Sequence, residues 1–182
     1  AVTGTNGKTT VTALIAHLLH SLGAEAVAAG NIGQALSDVA LRRVAPAWVA
    51  LEMSSFQLHD TRSLDPVVGV LTNLAPDHLD RYEALEDYYA DKDRLFANAG
   101  PASRWVTNAD DVEVLRRTAR AAGTHNRFSV NGLQVEAMFD KADDAVLLFG
   151  EPLLARRDIP LIGDHNVANV LAAALAVASA DR

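Results

Sequence analysis

No cysteine occurs among the 182 residues. That absence excludes a disulfide scaffold, a thiolate zinc site and cysteine catalysis, and it fits a reducing compartment. Basic residues are the minority, 16 against 23 acidic ones, for a formal net charge of −7. A chain so charged has no broad surface for neutralising a phosphate backbone, so general nucleic-acid binding is excluded. One small anion held by a local device stays compatible. No apolar run reaches the roughly 18–20 residues that span a bilayer, and no membrane insertion is expected. Internal repeats, low-complexity tracts and an interdomain linker are also missing. The remainder, 49% apolar and 21% charged, is the composition of a single domain over residues 1–182.

Hydrophobic periodicity predicts a helix over 8–22. Val11, Leu14, Ile15, Leu18, Leu19 and Leu22 share one face, and Gly23 ends it. A short strand is expected over 24–29, then a turn at Gly30–Gly33 and a helix from Leu36 to Val44, stopped by Pro46. The runs 48–51 and 67–71 are continuously apolar, the pattern of parallel strands covered on both faces. Helices are predicted over 83–98, 110–122 and 164–180, with a strand at 105–107. Short segments near 126–130, 133–139 and 145–149, with Asn131-Gly132 as a hairpin signal, suggest a small antiparallel sheet at the edge. The order of elements predicts an α/β doubly wound fold, mostly parallel and flanked by helices.

The strongest chemical signal is Gly4-Thr5-Asn6-Gly7-Lys8-Thr9-Thr10, set between a strand end and an amphipathic helix. Glycines let backbone N–H groups turn onto phosphate oxygens, and the helix N-terminus adds partial positive charge. Lys8 can reach the terminal phosphates, and the hydroxyl of Thr9 or Thr10 can ligate Mg²⁺. The common spacing would place a glycine at Val2, so this loop is a shortened variant. Only Ala1–Thr3 precede it where a full strand is expected, which suggests a piece of a longer chain. Glu52, the first acidic residue after the run 48–51, falls where a strand end faces the ligand crevice. Ser54 and Ser55 follow with turn or helix-cap potential.

His78 sits in the polar segment 73–82 beyond another strand end, suited to a metal, a phosphate or a purely structural task. Asp77, Asp80 and Arg81 are equally suited to loop and cap roles. Lys92 falls, at 100° per residue, inside the apolar stripe of Leu85, Tyr88, Tyr89, Leu95 and Phe96. It either snorkels to water or turns inward with a lowered pKa. Asn166 and Asn169 share a helix face and can bond a base edge or cap the helix.

Together these motifs resemble the Mur ligase family of ATP-dependent amide-forming enzymes. The loop alone also suits folylpolyglutamate synthase and cyanophycin synthetase relatives. Gly30–Gly33, Leu51–Leu58, Asp77–Tyr82, Lys92 and Gly163–Asn169 narrow the likeness to members that add D-glutamate to UDP-N-acetylmuramoyl-L-alanine. The resemblance implies a cytoplasmic enzyme of peptidoglycan precursor synthesis, and so of cell shape and division. It implies that the chain is the central ATPase domain, with N- and C-terminal Rossmann-like domains lying outside it. It also implies that Gly4, Thr5, Asn6, Gly7, Lys8, Thr9 and Thr10 bind ATP with Asn166 and Asn169 on the adenine. Thr9, Glu52, His78 and Lys92, the last as a carbamate, would ligate two Mg²⁺ ions, and Lys8, Glu52, His78 and Lys92 would be catalytic. Asn31, Ser54, Ser55 and Gln57 would meet the muramyl substrate, and D-glutamate would come from the C-terminal domain. A sister ligase using another amino acid stays open. So does a non-catalytic nucleotide-binding module, though that needs neither Glu52 with His78 nor a lysine on an apolar stripe.

Overall fold

The structure, a computed structural model, describes residues 1–180. Among the described residues nine strands form one sheet in the order β2-β3-β1-β4-β5-β6-β7-β8-β9. The strands are β1 Val2–Thr3, β2 Ala26–Gly30, β3 Trp48–Glu52, β4 Gly69–Leu71, β5 Arg104–Asn108, β6 Thr124–Ser129, β7 Ala137–Asp140, β8 Ala145–Leu148 and β9 Glu151–Ala155. From β2 through β7 every neighbouring pair is parallel, and β7-β8-β9 is an antiparallel meander at one edge.

Helix α1 (Lys8–Ser21) and helix α6 (Asp164–Ala180) cover one face of the sheet. Val11 of α1 and Val167, Leu171 and Leu175 of α6 meet Val2, Val70, Val106 and Phe128 in the main core. Alanines at 172, 173 and 176 are buried, and their small side chains let α6 sit close to its neighbours. The opposite face carries α3 (Ser55–Asp60), α4 (Leu85–Asp93) and α5 (Val112–Thr118). There Tyr88, Tyr89 and Val114 pack on Leu71, and Leu58 packs on Leu51 and Met53. Helix α2 (Leu36–Ala40) flanks β2. This is the doubly wound arrangement that the apolar runs predict.

Three expectations change. The Asn131-Gly132 signal makes a turn, with Gly132 at φ +81°, but no hairpin, because β6 and β7 run parallel. The last residues of β6 pair with the first of β7, so the chain need not retrace a whole strand between them. The helices expected over 36–44, 83–98 and 110–122 are shorter. The second of these ends at Asp93 and tightens into a 3₁₀ turn over Arg94–Phe96. Strand β9 and helix α3 arise without a sequence forecast. Leu22 lies past the end of α1 and is exposed rather than part of its buried face.

Strand β1 lies between β3 and β4, so the segments leaving all three open side by side at one sheet edge. They are Gly4–Gly7, Met53–Ser54 and Thr72–Asp80, the crevice where open α/β sheets bind ligands.

Candidate active site

Helix α1 begins without a side-chain cap and without an acidic residue in its first turn. Its orphan N–H groups and dipole therefore suit an anion. Gly7 precedes it in the left-handed region at φ +83°, and a Cβ there would collide with Asn169 Oδ1. Gly4, at φ +143°, faces Thr72 Oγ1 in the same way. The loop can pass close to both neighbours only with glycine at these two positions. Lys8 folds back over the loop, its Nζ donating to Thr5 O at 2.8 Å. Burial lowers its pKa, and the carboxylates of Glu52 and Asp77 oppose that shift.

Glu52 ends β3 opposite Val2 and is 2% exposed. Asn31 Nδ2 donates to its Oε1 at 2.9 Å, whereas the buried Oε2 has no hydrogen-bond partner. An orphaned buried carboxylate oxygen is costly unless a cation meets it, so this end of β3 fits a metal ion. Among the described residues no three His, Asp or Glu side chains form a metal-binding group. A hard ion here would therefore draw on hydroxyl, phosphate and water oxygens too, as Mg²⁺ ordinarily does. Changing Glu52 to Gln keeps size and the Asn31 bond but removes the charge. We expect that variant to fold normally and to bind ATP equally with Mg²⁺ or with a chelator. Undiminished Mg²⁺ dependence in calorimetry would remove Glu52 from the metal site.

Lys92 is turned inward rather than snorkelling. It is 1% exposed, its Nζ donates to Gly4 O at 2.8 Å, and it lies 4.5 Å from the centre of the Tyr88 ring. Burial, with the nearby Lys8 charge adding to it, lowers its pKa to about 7 against the pull of Asp77 and Asp91. Tyr88 OH in turn reaches Thr5 Oγ1 at 3.3 Å, so α4 supports the Gly4–Gly7 loop from below through two side chains one turn apart.

His78 adopts φ +54°, a strained setting for a non-glycine residue. Its ring lies 5.4 Å from Phe56 and 5.9 Å from Tyr88, edge-on to the latter. Tyr82 stacks on Phe56 at 5.6 Å and Arg81 lies over the same Phe56 ring, which folds the 76–82 segment onto α3. His78 thereby comes to the Lys92 side of the crevice with half its side chain in water. Asp77, a loop residue by its sequence, acts electrostatically on both Lys8 and Lys92.

Ser54 and Gln57 form a reciprocal capping box that starts α3, which fulfils the cap expectation for Ser54. Ser55 is buried. Asn31 is committed to Glu52. Thr9 is exposed and Thr10 half-buried on the first turn of α1. Asn169 donates to Asn166 Oδ1 at 3.1 Å, and Asn166 donates to Ile162 O at 2.8 Å. Beside them lies a cleft of ≈ 460 Å³ lined by Asn6, Gly7, Asn73, Phe128, His165 and Asn169. It is contiguous with the Gly4–Gly7 loop. His59, one of the histidines without an evident role in the sequence, bonds Asp91 at 2.8 Å and braces α3 against α4.

A doubly wound sheet whose central strand feeds a glycine-lysine loop into an uncapped helix defines a P-loop-like α/β domain. The chain belongs to the Mur ligase family, for residues 2–177 match the model of the Mur ligase middle domain. The UDP-N-acetylmuramoylalanine--D-glutamate ligase of Shouchella clausii is 43% identical over 176 residues, 97% of this chain and 39% of that protein. The enzyme of the same name from Aromatoleum aromaticum is 43% identical over 183 residues, 95% of this chain and 38% of its own length. Among solved structures, a UDP-N-acetylmuramoyl-L-alanyl-D-glutamate--2,6-diaminopimelate ligase superposes with TM-score 0.80 at 25% identity, covering 100% of this chain and 43% of its own. MurF from Acinetobacter baumannii superposes at 0.77 with 16% identity, covering 100% and 42%, a likeness of fold alone. The chain thus spans about two-fifths of the length of these curated relatives.

Proposed function

We propose that this chain is the ATP-binding central domain of a ligase that joins D-glutamate to UDP-N-acetylmuramoyl-L-alanine in peptidoglycan precursor synthesis. The observation that carries the reading is Lys92, buried beneath the phosphate loop and bonded to Gly4 O. A simple nucleotide switch has no use for such a lysine. Likeness to D-glutamate ligases along nearly the whole chain supports that amino acid over those of sister enzymes. Rossmann-like domains on either side would hold the UDP end and D-glutamate. Nucleotide substrates place the work in the cytoplasm, and among the described residues no helix is long and apolar enough to cross a membrane.

In this reading a carboxylate oxygen of the muramyl substrate attacks the γ-phosphorus of ATP. The bond to the bridging oxygen breaks and ADP leaves, giving an acyl phosphate. The amine of D-glutamate then adds to the acyl carbon, loses a proton, and inorganic phosphate departs from the tetrahedral intermediate. Lys8 and the loop N–H groups hold the phosphates in line and offset charge as it moves. Thr9, Glu52, His78 and carbamylated Lys92 would hold two Mg²⁺ ions, which when bound neutralise phosphate charge. Asn166 and Asn169 would turn toward the adenine. Asn31, Ser54, Ser55 and Gln57 would border the muramyl group, with Asn31 also fixing the Glu52 carboxylate. Positioning does most of the work, because the protein supplies no nucleophile.

A parent-length enzyme should release ADP and form the amide only when ATP, UDP-N-acetylmuramoyl-L-alanine and D-glutamate are all present. The 182-residue chain should bind MgATP and form none. Preference for another amino acid would make the protein a sister ligase. Amide formation by the chain alone at the parental rate would overturn the domain assignment.

A further inference from the structure

The phosphate loop has little sheet of its own to hold it, since β1 ends at Thr3. Besides Lys92 and Tyr88 of α4, its support comes from the segment that follows β4, some 67 positions away in sequence. Asn6 N donates to Asn73 Oδ1 at 2.9 Å, and Asn73 Nδ2 donates to Asn6 O at 2.9 Å. One carboxamide thus pairs with both the N–H and the C=O of a single residue, as a neighbouring strand would. Thr5 N donates to the Asn73 carbonyl at 2.9 Å, and Thr72 Oγ1 donates to Asn6 O at 2.7 Å. Only asparagine suits the place. Aspartate offers two acceptors and no donor to the Asn6 carbonyl, and alanine offers nothing.

We propose that Asn73 is a positioning residue that fixes the phosphate loop in its anion-binding shape and thereby sets affinity for the nucleotide's phosphates. The proposal rests on the phosphate-loop reading of Gly4–Thr10. Asn73 also lines the cleft beside the loop, so a direct contact with the base is the rival role, and a purely structural one is the other. The three roles have different signatures. A residue acting through the loop alters binding of ligands with phosphates and spares ligands without them. A base contact alters both, and a structural residue alters the fold.

Asn73→Asp and Asn73→Ala should each weaken MgATP binding to the 182-residue chain about tenfold, the scale of two lost hydrogen bonds. Adenosine affinity and melting temperature should stay close to those of the unmodified chain. Wild-type ATP affinity in both variants, or equal losses for ATP and adenosine, would overturn the role. Lys8→Ala is measured alongside. If it also leaves ATP binding intact, the phosphate-loop reading has failed; if it alone loses ATP, only Asn73 has. Should both Asn73 variants unfold, hydrogen exchange on the unmodified chain decides instead. Asn6 is exposed, yet its amide should exchange slowly, and fast exchange would sink the proposal.

Discussion

Lys8→Ala should lower the affinity of the chain for MgATP about a hundredfold while leaving its melting temperature nearly unchanged. The size follows from removing a charge-assisted hydrogen bond, worth roughly 1.5–3 kcal/mol where the acceptor is ionised. Lys8 is the first residue of α1, half-buried, with its ammonium already folded over the loop at Thr5 O. Burial lowers its pKa, and the carboxylates of Glu52 and Asp77 oppose that shift. The fold depends little on it, because α1 is anchored by Val11, Ala16 and Leu19 in the core. The backbone donors of the loop survive the substitution, so residual binding should remain. Equal ATP affinity for the variant and the unmodified chain in calorimetry would mean that Gly4–Thr10 is only a turn before a helix.

What the sequence shows of this site is what lies close together along the chain. Gly7-Lys8-Thr9-Thr10 and the α1 stripe are neighbours within a few turns, and the helix period alone puts Lys92 among Tyr88, Tyr89 and Leu95. Glu52 is legible because a continuous apolar run ends at it. Contacts made across the sheet are a different matter. The pairing of Asn73 with Asn6 depends on β4 lying beside β1, which no local pattern reveals. Asn31 shows no sign of its bond to Glu52 until β2 and β3 are in register. At the far edge, Pro152 argues against a strand, yet β9 holds it because an edge strand can spare a backbone donor. The turn before it is equally obscure. Gly150, at φ 84°, is a usual turn residue, but Phe149 before it holds φ 53°, where asparagine or glycine would be the usual signal.

Lys92→Ala in a parent-length enzyme should remove most ligase activity, roughly a hundredfold or more on the scale of a lost electrostatic group, with partial rescue by short-chain carboxylates. The chemistry starts from burial. A pKa lowered to about 7 leaves a substantial share of neutral amine near neutrality. The nitrogen lone pair can add to the carbon of CO₂, an N–C bond forms, a proton leaves to water, and a carbamate whose single negative charge is shared by two oxygens would result. Those oxygens suit a hard cation near Glu52, and an added carboxylate can fill the gap left by alanine.

The same burial has a consequence that needs no catalysis. The folded-state pKa of Lys92 lies near 7 and the unfolded one at 10.5. Below about 7 both states hold the proton, so the ammonium destabilises the fold by a constant amount. Between the two values the unfolded chain binds more protons, and this group makes the fold more stable as pH rises, by up to about 1.4 kcal/mol per unit. Lys92→Met keeps a similar volume and has no such slope. Urea denaturation of both chains in CO₂-free buffer, from about pH 6 to about pH 9, should therefore show the difference moving in favour of the lysine as pH rises. With ¹³C-bicarbonate present, a carbamate carbon signal should form in the unmodified chain and be missing from Lys92→Met. A stability difference flat across that range would mean that the lysine titrates as an exposed one, and an identical carbon spectrum in both chains would place any carbamate elsewhere.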